Sequence, residues 1–209
     1  MSPHEASETM SERGGPFEWS GGHPALDFVN TLDERPFEPP IENLATYRDL
    51  VLFAELAKLI EPSIAGPLRS LSGPGCSRVA RRARKLREHA HDVLAAAHSG
   101  RPLPKPGLNA IGAAIQAAHA ARALVASPSP GLASHRWSHP LAPDTPLHAC
   151  ALSLEHLLVN VDQQRIRKCG ASDCDVYYID TSKGRHRRWC SMKACGNREK
   201  QRRWRSGSP

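Results

Sequence analysis

Four cysteines, Cys169, Cys174, Cys190 and Cys195, place the tightest limit on how this chain can fold. Four residues separate the members of each pair, and a basic, aromatic stretch joins the pairs. Two close pairs held apart by a loop can wrap one tetrahedral zinc ion, and four thiolates fill its coordination sphere. No position is left for water or substrate, so the pattern points to one structural Zn2+ and away from a metal-dependent active site. A disulfide framework is the competing reading. The polar N-terminus lacks the apolar core of a signal peptide, and no stretch is apolar enough to span a membrane. The expected compartment is therefore the cytoplasm, where reduced thiols favour metal. His186 is an alternative fourth ligand, although two matched pairs favour cysteine. Cys76 reads as a loop thiol and Cys150 as a small buried apolar residue on a helix.

The charge travels with the cysteines. Between Arg165 and Arg205 stand 13 Lys or Arg and 4 Asp or Glu, a net of +9, whereas the whole chain carries +7. The remainder is thus slightly acidic. A basic cluster of this kind suits an anionic polymer.

Before the cluster, apolar spacing and caps predict four helices. The first runs over about Tyr47 to Ile60, with Thr46 and Asp49 placed as a capping box. Pro62 and Gly66 end it, and residues 70–77 form a loop. The second covers about Val79 to Ala97, the third Asn109 to Val125 and the fourth Leu147 to Asp162. Arg81, Arg82, Arg84, Lys85 and Arg87 on the second helix read first as a solvated face and second as a nucleic-acid contact. Leu26, Phe28 and Val29 look buried, in a short strand or a first helix. Ser134 to Ser138 fits a short strand.

The expected class is mainly α. An N-terminal helical domain with minor β occupies residues 17–163, and a small α+β, treble-clef-like zinc-binding module occupies 164–205. Residues 1–16 read as a disordered lead and 206–209 as a tail. Within the module, Asp175 to Thr181 is rich in strand formers. Residues 182–184 turn, and His186 to Trp189 return as a second strand. Ser191 can cap a turn that carries Cys195, or the main helix can start at Asn197 as its own cap.

CSMKACGNR, residues 190–198, with the upstream CGASDC and DTSK, resembles the CGNR zinc finger family, named for the residues standing here as Cys195 to Arg198. GGHPALDFVNTL and TYRDLVLFA resemble the ABATE domain that precedes this finger in bacterial proteins described as stress-induced transcription regulators. The resemblance implies zinc and a DNA-binding role.

DNA is accordingly the expected partner. Lys183, Arg185, Arg187, Arg188 and Lys193 would supply phosphate contacts, followed by Lys200, Arg202, Arg203 and Arg205 on the last helix. Arg198, Arg202 and Arg205 share one helical face. Asn197 and Arg198 have the chemistry to read base edges, adenine and guanine respectively. Against this, Asn197 also suits a cap, and Arg198 a carboxylate pair with Asp180. Trp189 and Trp204 are expected as core and docking residues first and as base-stacking residues second. An RNA-binding or protein-adaptor finger is the alternative, favoured if Tyr177, Tyr178 and Trp189 form an exposed stacking platform. Asp27 and Asn30, polar among apolar neighbours, suit structural roles first and a ligand pocket second. The helical domain would sense an effector or form a homodimer. No nucleophile–base spacing or phosphate loop is present, so no catalytic residue is expected.

Overall fold

The computed structural model describes residues 17–127 and 131–206. The expected lead over residues 1–16, and the tail beyond Ser206, lie outside the described residues. Seven helices and three small two-stranded sheets build the rest.

Helix α1, Pro24–Val29, answers the strand-or-helix question at the first apolar run. Pro24 opens it with no N–H to waste, and the His23 ring accepts from the Ala25 N–H. Five of its six residues are buried, so it is the central rod of the core. Strands β1 (Leu32–Asp33) and β2 (Ile41–Glu42) follow as a minimal ladder. Helix α2, Tyr47–Leu56, begins with the expected capping box between Thr46 and Asp49.

The structure corrects the next stretch. Pro62 starts a helix as its first residue and ends none: α3 spans Pro62–Arg69. Pro74 does the same for α4, Pro74–His98, which takes in the segment expected as a loop. Cys76 is therefore a buried helical residue and not a loop thiol. Helix α5, Lys105–Ala120, stops short of Val125. Arg122–Ala126 is instead strand β3, paired antiparallel with β4, Ala133–Trp137. An isolated alanine-rich segment looks helical, but here the ladder to β4 decides. Helix α6, Thr145–Asn160, closes the bundle, with Cys150 fully buried as expected.

Leu26 and Phe28 of α1, Leu50 and Phe53 of α2, Leu68 of α3, Leu86 of α4 and Leu154 of α6 share one core. The basic run on α4 is divided between solvent and partners within the molecule. Arg87 is buried and reaches Glu42 at 2.6 and 2.7 Å and Glu88 at 2.7 Å. Arg84 donates to the carbonyls of Leu44 and Ala45, and Arg82 pairs with Asp144. Only Arg81, Arg82 and Lys85 keep the expected exposed character.

A short turn at Gln163–Arg165 leads into β5, Ile166–Lys168. It pairs antiparallel with β6, Tyr177–Ile179. A π-helical turn at Met192–Gly196 then runs into α7, Asn197–Arg205.

Candidate metal centre and nucleic-acid interface

The four cysteines converge. Their sulfurs all lie within 4.8 Å of one another. A tetrahedron with zinc–sulfur bonds of about 2.3 Å has edges of about 3.8 Å. The Cys174–Cys190 and Cys190–Cys195 separations are 3.8 and 3.5 Å. The donor set fits a tetrahedral zinc. Crowded sulfurs cannot all ionise alone: bonds from Cys174, Cys190 and Cys195 push the Cys169 thiol down, while those from Cys169, Cys174 and Cys195 push Cys190 up. A divalent cation relieves that sharing of protons. Two donors already face the sulfurs: the Cys190 N–H at 3.4 Å from Cys169 and Arg198 at 3.3 Å from Cys195.

Ser191 caps the turn that carries Cys195 by accepting from the Ala194 N–H at 3.2 Å. The turn continues into α7, whose start makes no side-chain capping bond. Asn197 is exposed on the first turn, and its reading as a cap does not hold. Gly196 is required by space. A Cβ there would lie 2.9 Å from the Trp189 ring and 2.5 Å from the Met192 sulfur. Trp189 packs half-buried against the cysteine cluster, as expected. Trp204, expected in the core, is 85% exposed.

The second strand of the expected hairpin is replaced. Residues 186–189 form no ladder; β5 is the partner of β6. Arg185 at φ +56° turns the chain out of register. Side chains then hold the return path. Asp180 accepts from the Ser182 N–H at 2.9 Å, the Ser182 hydroxyl at 2.6 Å and the Arg187 N–H at 3.0 Å. The Tyr178 hydroxyl donates to the Arg187 carbonyl at 2.6 Å. With Asp180 so occupied, Arg198 pairs elsewhere: it meets Asp173 at 2.9 Å, and Arg202 meets the other oxygen at 2.5 Å. Asp173 thus anchors the start of α7, with no signal in the sequence beyond its place beside Cys174.

The proposed cations divide into two groups. Arg187 folds over the Tyr178 ring at 4.4 Å and donates to the carbonyls of Trp189 and Cys190. Arg185 meets Asp162 and Gln164, and Arg198 and Arg202 meet Asp173. Those four are committed to the fold. Lys183, Lys193, Lys200, Arg203 and Arg205 are exposed with no partner among the described residues, and Arg188 only stacks over Trp189. The shared face of Arg198 and Arg202 therefore turns inward. The outward face of α7 carries Asn197, Lys200, Arg203 and Trp204. Elsewhere on the module lies a groove of about 510 Å³ lined by His98, Arg167, Lys168, His186 and Arg188, with no acidic residue in its lining.

The module is seated on the bundle, not tethered. Tyr177 belongs to the helical core. The Asn30 amide reads the outer edge of β6 as a strand would. It donates to the Tyr177 carbonyl at 2.9 Å and accepts from the Tyr177 N–H at 3.0 Å. The Ile179 N–H adds a bond to the Gly21 carbonyl at 2.8 Å. Gly21 in turn donates to Asp27 at 2.8 Å, and a Cβ at Gly21 would lie 2.8 Å from Leu26 and Asp27. Asp27 and Asn30 thus hold the junction and line none of the grooves described for the molecule. His91 reaches Asp175 at 2.6 Å from α4, and Lys168 pairs with the same carboxylate. Burial alone would raise Asp175, but those two bonds outweigh it and hold the group at about 2.

A four-cysteine knuckle, a two-stranded ladder and a basic helix beside a mainly helical core define a zinc-finger class of protein. The CGNR zinc finger model matches residues 165–206. The chain belongs to the ABATE family, described as "Putative stress-induced transcription regulator", whose model matches residues 22–160. Comparison with curated proteins finds no match. Among the described residues, no helix is long and apolar enough to cross a membrane.

Proposed function

We propose that this protein is a zinc-dependent, DNA-binding transcription regulator. Residues 17–163 receive a signal or pair two copies, and residues 164–205 grip DNA. One structural zinc, held by Cys169, Cys174, Cys190 and Cys195, would give rigidity to a module too small to bury a full core of its own. The reading rests on one observation: six exposed cations of one module, Lys183, Arg188, Lys193, Lys200, Arg203 and Arg205, have no anionic partner. A helix N-terminal turn with Asn197 on its outer face is a suitable base reader, and the cations beside it suit phosphates. Tyr177 and Tyr178 are 1% exposed, which removes the stacking platform that the RNA alternative needs.

Six neutralised phosphates give a slope of about −5 in log K against log salt. Lys200→Ala with Arg203→Ala should reduce that slope by about 2 and weaken binding throughout. Arg198→Ala with Arg202→Ala should change it far less. Binding measured by fluorescence anisotropy on duplex DNA, with an RNA of the same sequence alongside, tests this. Equal effects of the two double variants, or tighter RNA binding, would refute the assignment.

A further inference from the structure

The helical bundle contains a cleft that the finger does not use. Its volume is about 420 Å³, within the range of small-ligand sites. Four parts of the fold contribute walls: the N-cap of α1, the turn after α2, the β3–β4 hairpin and α6. Lys58, Arg122 and His135 stand around it, and no Asp or Glu lines it. Lys58 and Arg122 have no partner among the described residues. Trp137, Leu59 and Leu152 give it an apolar side.

Two further details mark the cleft as more than a surface dent. The first is the pair formed by His23 and His156, whose rings lie nearly parallel, within 10°, with their centroids 5.2 Å apart. His23 Nδ1 accepts from the Ala25 N–H at 3.2 Å, so its proton sits on Nε2. That proton faces His156 Nδ1 at 3.0 Å. His156 is thereby fixed with Nε2–H as a remaining donor. The second is Ser153, on the cleft wall and 8% exposed. Its hydroxyl has no hydrogen-bond partner among the described residues, although a helical serine commonly bonds back to its own helix.

We propose that this cleft binds a small organic anion with a flat apolar body, of the arylcarboxylate class, as the effector of the helical domain. Arg122 and Lys58 supply the counter-charge, and the Ser153 hydroxyl and His156 N–H supply directed bonds. Trp137 and Leu152 cover the ring. A bare inorganic anion would leave the apolar side empty, and a neutral aromatic would leave two cations unmatched. The site abuts the segment that seats the finger: His23 lies two residues beyond Gly21, whose carbonyl holds Ile179. The proposal stands apart from the DNA reading and is tested without DNA.

The test is a calorimetric and NMR titration of the zinc-loaded full chain with benzoate, benzyl alcohol and inorganic phosphate. The expected result is saturable 1:1 binding of benzoate, with a Kd of about 1 mM or tighter, and shifts at the Trp137 indole. Arg122→Ala weakens it at least tenfold, and Lys58→Ala weakens it to a lesser degree. Both side chains are partly or fully exposed, and circular dichroism shows that each variant is folded. Absence of saturation, equal binding of benzyl alcohol or phosphate, or unchanged affinity in both variants would overturn the proposal.

Discussion

Replacing Asn30 with alanine tests how the finger is seated. The side chain satisfies both backbone groups of Tyr177, at 2.9 and 3.0 Å, in a place where Tyr177 is 1% exposed. Alanine leaves a donor and an acceptor without partners. Each unsatisfied buried group costs about 1–3 kcal/mol, and some water entry at the junction softens the sum. The expected loss is about 3 kcal/mol, or roughly 6–12 °C in Tm for a chain of this size. Guanidinium unfolding of the zinc-loaded protein, followed by circular dichroism, measures it. Asn30→Asp sharpens the test. It keeps the acceptor for the Tyr177 N–H but turns its second oxygen on the Tyr177 carbonyl, so at neutral pH it should do no better than alanine. A change below about 0.5 kcal/mol for Asn30→Ala, the level of an ordinary surface substitution, would refute the clamp. So would a neutral Asn30→Asp.

Cys169→Ser should abolish stoichiometric zinc in the purified protein, measured by atomic absorption, because three thiolates remain for a four-ligand site. Gly21→Ala should cost about 1–3 kcal/mol through overpacking against Leu26 and Asp27, read as a lowered denaturation midpoint. His23 gives a pH signature. Burial and the neighbouring His156 hold its imidazole at about 4, below the ordinary 6.5. The unfolded chain takes up that proton first as the pH falls. The group's share of stability is therefore whole above pH 6.5 and drains between 6.5 and about 4. His23→Gln should flatten the dependence of the urea midpoint over that range, and an unchanged slope would refute a neutral, half-buried ring. Asp173→Asn should loosen α7 and raise amide exchange at residues 198–202 without loss of zinc.

What the sequence made legible follows physical range. The cysteine spacing and the capping box at Thr46 are local patterns, and both appear as expected. The helical periods of α2, α4 and α6 are also local, although their ends moved. Pro62 and Pro74 were ambiguous because proline both stops and starts helices, and only the packing of Leu68 and Cys76 against the core tells which. The strand at Arg122–Ala126 depends on residues 133–137, beyond any helical window. Asn30 is beyond reach of local reading altogether, since Tyr177 lies 147 residues away. Charge was legible as a total and not as a surface. Which arginines remain for a partner depends on where Asp173, Asp162 and the loop carbonyls fall in space.

The turn at Met192–Gly196 bears on how α7 can exist. No residue of α7 is buried, and nine residues are too few for a stable helix in water alone. The unfavourable step is the first turn, which at a nucleation constant near 10⁻³ amounts to about 4 kcal/mol. Here Cys190 stands just before the turn at Met192–Gly196 and Cys195 lies within it, so a metal held by both would supply the nucleus, and Asp173 ties down the helix that follows through Arg198 and Arg202. Helicity over Asn197–Arg205 would then be conditional on metal. Without the metal, the chain would keep its helical bundle and lose α7, a local melting that leaves the core folded.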